Sequence, residues 1–146
     1  MNSISLADIA DAQAVLKEVL VETPTLRLKS DRWEGILPDI AGGAIKMELF
    51  QQAGSFKARG AYLGIHRLTD VERSNGVVAA SGGNHALAVA WAAKKAGISA
   101  RIAIPKAADP VRLNGCRALG AEVILCDDIA DAFATMETCA ADEGRT

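Results

Sequence analysis

Two short segments of this 146-residue sequence have residue types and spacing that could provide an amine nucleophile and a binding site for an anion. The first is Gly54-Ser55-Phe56-Lys57-Ala58-Arg59-Gly60-Ala61, which places a lysine among small residues in the first turn of a predicted helix. A lysine with its ordinary pKa of about 10.4 stays protonated and attacks an aldehyde poorly. Partial burial and the positive end of a helix dipole both favour the neutral amine. Both effects make Lys57 a candidate nucleophile, but most lysines are solvated surface residues, and this alternative stays open on the residues alone.

The second segment is the loop Ser81-Gly82-Gly83-Asn84-His85-Ala86. It follows a predicted buried strand, and ligands of open parallel sheets bind beyond the carboxyl ends of strands. Two glycines let the backbone turn tightly, so that N–H groups from Ser81 to His85 can converge on an anion such as a carboxylate. The alternative is an ordinary strand-to-helix turn with Asn84 as its cap. His85 is interpreted as a packing or hydrogen-bonding residue.

The elements that position these segments alternate regularly in the second half of the chain. Short apolar runs at residues 76–80, 100–104 and 121–125 predict strands, and each is followed by a helical segment, at residues 84–96, 110–119 and 129–143. Such alternation predicts an α/β fold with a parallel sheet covered on both faces. Helix caps and stops agree with it: Gly97, Gly120, Asp109-Pro110 and Asp128.

The first half of the chain is less regular. Residues 5–20 predict a helix that begins at a serine cap, and the proline of Glu22-Thr23-Pro24 predicts an extended segment after it. Residues 31–42 read as a loop and residues 44–49 as a half-buried strand. Ser55 is the predicted N-cap of a helix that runs to about residue 68. Arg59 in that helix is interpreted as a structural or salt-bridging residue rather than a catalytic one.

Composition excludes several classes of function. The net charge is −2 and the basic residues are scattered, which argues against nucleic acid or an anionic membrane as a partner. The longest apolar stretch, residues 86–93, is too short to span a bilayer, and the start of the chain is not of signal-peptide type. The three cysteines lie far apart, which predicts small buried residues rather than disulfides or metal ligands, and a cytoplasmic protein.

Together, the lysine octet and the Ser-Gly-Gly-Asn-His-Ala loop resemble the signatures of fold-type II pyridoxal-phosphate enzymes. Within these they look most like the branch of serine/threonine dehydratases (threonine ammonia-lyases) and serine racemases. The resemblance extends from about Thr23 to the C-terminus. It implies the three-layer αβα parallel sheet of the tryptophan synthase β-subunit-like superfamily, incomplete here. Residues 1–75 would be part of the larger cofactor domain, and residues 76–146 a nearly complete small domain.

The resemblance also implies a role for each site residue. Lys57 would hold pyridoxal 5′-phosphate covalently and later carry the α-proton of the substrate. Asn84 would bond the 3-hydroxyl of the cofactor, and Phe56 would pack beside its ring. The carboxylate of an amino-acid substrate would lie on the loop formed by Ser81, Gly82, Gly83, Asn84 and His85.

Details of the two motifs point to one activity. Cysteine and threonine synthase branches usually carry threonine after the asparagine, where His85 stands, and often aspartate in place of Ala58. Serine racemases of the family carry a serine acid/base at the position of Gly82, and glycine cannot move a proton. The resemblance therefore implies a lyase that converts L-threonine or L-serine to a 2-oxo acid and ammonia. A serine/threonine racemase is the alternative within the family.

One departure from the family pattern concerns the rest of the cofactor site. The tetraglycine loop that binds the cofactor phosphate and the serine or cysteine at the pyridine nitrogen are both absent from the sequence. We therefore expect the chain to be the N-terminal part of a longer, homodimeric enzyme and to be inactive by itself. The alternative is a short non-catalytic domain. A classical dinucleotide-binding domain is disfavoured, because the loop lacks Gly-x-Gly-x-x-Gly spacing.

Overall fold

The computed structural model describes residues 3–28 and 43–146, and within them it shows an α/β arrangement of two small sheets and six helices. The predicted loop at residues 31–42 lies outside these ranges. In chain order the elements are α1 (Leu6–Leu16), β1 (Thr25–Leu28), β2 (Gly43–Lys46), two 3₁₀ turns (Glu48–Phe50 and Gln52–Gly54), α2 (Lys57–His66), α3 (Asp70–Asn75), β3 (Val77–Ala80), α4 (Asn84–Ala96), β4 (Ala100–Pro105), α5 (Pro110–Ala118), β5 (Glu122–Cys126) and α6 (Ile129–Glu143).

The main sheet is parallel, as the sequence predicts, with the order β3-β4-β5. Ala79 is paired with Ile102, and Ile102 with Val123. At the other edge of β3, the N–H of Val78 donates to the carbonyl of Thr146 at 2.9 Å. The smaller sheet is an antiparallel pair of β1 and β2.

Helices cover both faces of the parallel sheet, which gives the predicted three layers. On one face, Ile102 and Ile104 pack in a core with α4, α5 and α2. On the other face, Ala103 and Cys126 pack against α6 through Ala132. Side chains alternate between the faces because successive residues of a strand point in opposite directions. The loop after β3 is thereby held between two packed helical layers.

The caps predicted from sequence in the second half of the chain stand where expected. Asp109 accepts a hydrogen bond from the N–H of Val111 at 2.8 Å, and Asp128 accepts one from the N–H of Asp131 at 2.8 Å. Gly97 has the left-handed conformation that ends a helix, with φ of 69°. The three cysteines are buried and free, as predicted: Cys116, Cys126 and Cys139.

The larger boundary differences from the sequence expectations lie in the first half of the chain. The helix predicted over residues 5–20 ends at Leu16, and the strand predicted over residues 44–49 ends at Lys46, where the chain passes into a 3₁₀ turn. The helix predicted from Ser55 begins at Lys57 and ends at His66. Helix α3 was not predicted, although Thr69 and Glu72 form a capping box at its start.

No helix in residues 3–28 or 43–146 is long and apolar enough to cross a membrane. In the same ranges, no group of three His, Cys, Asp or Glu side chains is arranged to hold a metal ion.

Candidate active site

Lys57 is the first residue of α2, so the sequence prediction of a lysine in the opening turn of a helix is confirmed. The predicted cap is wrong in detail. Phe56 flanks the helix and no side chain caps it, while Ser55 is extended, with φ of −164°. The hydroxyl of Ser55 is instead buried and has no hydrogen-bond partner among the described residues. A buried polar atom without a partner is costly, which makes it a candidate contact for a ligand.

The amine of Lys57 is accessible. The residue is exposed, and its Nζ lies 5.2 Å from the centroid of the Phe56 ring, within the range of a cation–π contact. The partial burial expected for Lys57 is therefore not provided by the part of the chain that the structure describes. In contrast, Nζ of Lys46 donates to the carbonyl of Thr23 at 2.6 Å. Of these two lysines, Lys57 is the one that presents its amine for reaction.

The loop after β3 has the shape of a partial anion cradle. The N–H of Ser81 continues the sheet by donating to the carbonyl of Ala103 at 3.0 Å, so it does not serve the cradle as expected. The hydroxyl of Ser81 accepts from the N–H of Gly83 at 3.1 Å. Three N–H groups, those of Gly82, Asn84 and His85, have no partner among the described residues. They stand at the start of α4, where the helix dipole favours an anion.

The side-chain amide of Asn84 is oriented by a neighbour that the sequence did not reveal. A guanidinium N–H of Arg112, on α5, donates to Oδ1 of Asn84. Because arginine carries only donors, this contact assigns the carbonyl side of the amide to Arg112 and leaves the NH₂ group as the outward donor. Asn84 itself is the first residue of α4, and Gly83 precedes the helix as its cap position.

The two motifs come together because α2 packs along α4 in one core. Ile65 of α2 and Val89 of α4 belong to one core cluster, against which Tyr62 packs, and the ring of Tyr62 lies 5.8 Å from that of Trp91. His85 lies at the amino end of α4 and is exposed to solvent, but neighbouring atoms partly desolvate its ring, and this lowers its pKa. The positive charge of Lys57 lowers this pKa further.

A set of polar contacts fixes the segment that precedes Lys57. Glu48 accepts two hydrogen bonds from the guanidinium of Arg59, at 2.7 and 2.8 Å, and one from the hydroxyl of Thr23, at 2.7 Å. Chiefly through the bonds from Arg59, these contacts lower the pKa of Glu48 from its usual 4.5 to about 2 against the opposing effect of burial. The expectation that Arg59 forms a salt bridge is confirmed.

A second pair of hydrogen bonds also fixes the segment that precedes Lys57. The amide of Gln51 is buried and pairs with the backbone of Val21 in both directions, accepting from its N–H at 2.9 Å and donating to its carbonyl at 2.8 Å. Sequence reasoning missed Glu48, Gln51 and Arg112. Their partners lie between 11 and 30 residues away, so no local pattern could have identified them.

Comparison with known proteins gives consistent findings. Residues 21–146 match the family described as pyridoxal-phosphate dependent enzyme. Phenylserine dehydratase of Ralstonia pickettii is 40% identical over 142 residues, which is 96% of this chain and 42% of that protein. L-threonine ammonia-lyase of Thermotoga maritima is 45% identical over 130 residues, which is 88% of this chain and 31% of that protein.

Solved structures agree with the sequence relatives. The structure of maize serine racemase has a TM-score of 0.85 and 33% identity, and the match covers 99% of this chain and 43% of that one. The chain therefore spans less than half the length of the dehydratase, ammonia-lyase and racemase that it matches.

Proposed function

We propose that this chain, which belongs to the family of pyridoxal-phosphate dependent enzymes, supplies the cofactor-attaching lysine and the substrate-carboxylate loop of an L-threonine or L-serine dehydratase. The observation that carries the proposal is the pairing of two features. Lys57, whose amine is exposed, lies at the start of α2, and the N–H groups of Gly82, Asn84 and His85, which are unpaired in the described part of the chain, lie at the start of α4. Helices α2 and α4 pack in one core. The similarity to a phenylserine dehydratase and an L-threonine ammonia-lyase supports this activity.

The residues present fit pyridoxal phosphate. Lys57 offers an amine without a hydrogen-bond partner among the described residues, and Asn84 offers an outward NH₂ donor for a ring oxygen. The buried hydroxyl of Ser55 is a further polar group that lacks a partner in the described structure. When bound, the cofactor supplies an aldehyde for attachment and an electron-withdrawing ring that stabilises negative charge on the substrate.

Each residue of the candidate site has a defined role in this proposal. Nζ of Lys57 would accept the α-proton of the substrate. The N–H groups of Gly82, Asn84 and His85 bind the substrate carboxylate. Loss of the α-proton and of the β-hydroxyl removes one water, and the addition of another water releases the 2-oxo acid and ammonia. Phe56 forms an apolar wall beside the reacting amine.

A racemase is the second candidate, because the fold is similar to that of maize serine racemase. Racemisation needs a proton donor on the second face of the substrate, within hydrogen-bond reach. Gly82 has no side chain, and a Cβ atom placed there would lie 3.0 Å from Cβ of Ala108. We therefore favour elimination over racemisation.

The proposal extends to the domain boundaries, the compartment and the oligomeric state. We assign residues 1–75 to the larger domain and residues 76–146 to the small domain, although α2 shares a core with α4 across that boundary. We further propose that the enzyme is a cytoplasmic homodimer acting on a small amino acid. Three free, buried cysteines are compatible with a reducing compartment.

The activity is tested on the full-length protein that carries this chain, supplied with pyridoxal phosphate and L-threonine or L-serine. We expect 2-oxo acid and ammonia in equal amounts, with little D-isomer on chiral chromatography. Lys57→Ala should abolish both products. Lys94 is an exposed lysine in the last turn of α4, and Lys94→Ala should leave both products unchanged. Abundant D-isomer would establish the racemase instead, and the absence of any product would leave a non-catalytic domain.

A further inference from the structure

Glu48 and Arg59 join three segments that are separate in sequence and meet beside Lys57. Arg59 is the third residue of α2, two residues after Lys57, and Glu48 opens the 3₁₀ turn that follows β2. The carboxylate receives the arginine fork on both oxygens, and Thr23 donates to one of them from the segment that enters β1. The Glu48 side chain is only 16% exposed. These contacts form one fixed unit rather than a loose surface pair.

Within the first turn of α2, Ala58 is the one buried residue. Ala58 is buried and the helix packs on α4 through Tyr62 and Ile65, which fixes the rotation of α2 about its axis. Its amino end has no side-chain cap, and Phe56 is 59% exposed. Beside the packing of Ala58, the fork between Arg59 and Glu48 is the side-chain contact that constrains the backbone at Lys57.

We propose that the Glu48–Arg59 ion pair, braced by Thr23, is a positioning device that sets where Lys57 presents its amine. This inference rests on the proposed attachment of the cofactor to Lys57. Neither residue touches the reacting atoms; both act through the backbone of the first turn of α2. A bidentate arginine–carboxylate pair suits this task, because two parallel hydrogen bonds define an orientation as well as a distance.

The test compares matched pairs of conservative substitutions in the full-length protein. Glu48→Gln keeps the shape and removes the charge, and Arg59→Lys keeps the charge and removes the fork. The controls are Glu122→Gln and Arg101→Lys, which alter an ion pair of 2.7 Å at the amino ends of β4 and β5. These strands begin at the edge of the sheet opposite the loop that follows β3.

The first readout is the rate at which Lys57 attaches pyridoxal phosphate. The amine condenses with the aldehyde carbon and releases one water, and added borohydride delivers a hydride to the resulting C=N carbon. Peptide mass spectrometry then measures trapped cofactor on Lys57 per folded molecule. We expect Glu48→Gln and Arg59→Lys to slow attachment roughly tenfold or more, since small displacements of a reacting group are costly. The control variants should match the wild type.

A double variant tests whether the two residues act through each other. Glu48→Gln/Arg59→Lys should be no slower than the slower single variant, because each change removes the same interaction. Additive losses would overturn the proposal, as would unchanged rates in both single variants or equal losses in the controls. Where Glu48→Gln reduces the folded fraction too far, Thr23→Val removes only the bracing hydroxyl and should slow attachment about two- to fivefold.

Hydrogen exchange separates this inference from the proposed function. We expect the hydrogen-bonded amides of Ala58 and Arg59 to exchange about tenfold faster in Glu48→Gln and Arg59→Lys than in the wild type, with β4 amides unchanged. If the wild type takes no cofactor on Lys57, the proposed function fails while this readout still tests the positioning of α2. Unchanged exchange in both variants would overturn the positioning role.

Discussion

His85 should report the charge of Lys57. Burial lowers the pKa of His85, and the ammonium of Lys57 lowers this pKa further because two positive charges repel. Lys57→Gln should therefore raise the pKa of His85 towards its usual 6.5 without restoring it fully, since burial remains. An NMR titration of the imidazole in the cofactor-free protein measures the change.

Lys46→Gln is the matched control for that titration. Lys46 donates to the carbonyl of Thr23 and does not contribute to the pKa shift of His85. We expect the pKa of His85 to be the same in Lys46→Gln as in the wild type. A His85 pKa that stays unchanged in Lys57→Gln would show that the two motifs do not approach each other as the structure places them.

Gly82 and Ala108 should be coupled. A side chain at position 82 would bring its Cβ to 3.0 Å from Cβ of Ala108, which is tighter than ordinary van der Waals contact. Gly82→Ser should lower the midpoint of thermal unfolding, and Ala108→Gly should restore most of that loss by removing the contacting methyl group. Calorimetry of the two single variants and the double variant measures this coupling.

The same variants connect packing to reaction outcome. Gly82→Ser/Ala108→Gly places a hydroxyl on the second face of the proposed substrate site without crowding. We expect a higher ratio of D-isomer to 2-oxo acid in this double variant than in the wild type, measured by chiral chromatography. An unchanged ratio would contradict the view that the missing side chain at Gly82 limits racemisation.

The turn between α3 and β3 depends on a glycine. Gly76 has φ of 82°, and a Cβ atom there would lie 2.6 Å from the carbonyl oxygen of Ser99. Gly97 has a similar φ of 69°, but a Cβ atom there would meet nothing within 4 Å in the described structure. Gly76→Ala should therefore cost more than Gly97→Ala, for which strain alone predicts about 1–2 kcal/mol. Urea unfolding measures both; equal losses would contradict this assignment.

The junction of β1, β2 and α2 should weaken in acid over a defined range of pH. The folded-state pKa of Glu48 is about 2, below its usual 4.5. Its stabilising contribution is complete above pH 4.5 and is lost as the pH falls towards 2. The difference in unfolding free energy between the wild type and Glu48→Gln should therefore shrink as the pH falls through this range. A constant difference would contradict the pairing of an ionised Glu48 with Arg59.

Most elements with local signals were predictable from the sequence, with α3 and its capping box as the exception, whereas features that depend on distant partners were not. The strands β3, β4 and β5 follow from short apolar runs between glycines and caps, and their parallel pairing was expected. Ser55 shows the limit of local reading. It resembles a helix cap in sequence, but the chain stays extended there and buries its hydroxyl. Tertiary packing thus overrode a local capping preference.

The candidate site likewise combines residues that the sequence revealed with residues that it did not. Its motif residues were read from the chain, because Lys57 and Asn84 lie in short segments with a recognisable pattern. The side chains that orient them, Arg112 for Asn84 and Glu48 for the first turn of α2, come from other elements. Their selection depends on how α5 and the 3₁₀ turn pack in three dimensions, which no spacing rule conveys.

The arrangement of the whole molecule places the proposed chemistry at one edge. The loop after β3 lies at the carboxyl end of a parallel strand, and α2 brings Lys57 to the same side by packing on α4. Such edges are where ligands of open α/β sheets bind. The chain spans 31–43% of the length of the three proteins compared with it, so the assembled enzyme is the system on which its function has to be measured.

The most direct measurement is the position of covalently trapped cofactor. The full-length protein is incubated with pyridoxal phosphate, reduced with borohydride and digested, and the modified peptide is identified by mass spectrometry. We predict that the phosphopyridoxyl group is found on Lys57, and that Lys57→Ala carries none on any residue of this chain. Cofactor trapped instead on Lys46 or spread over several lysines, or its persistence in Lys57→Ala, would contradict the assignment of Lys57 as the attachment site.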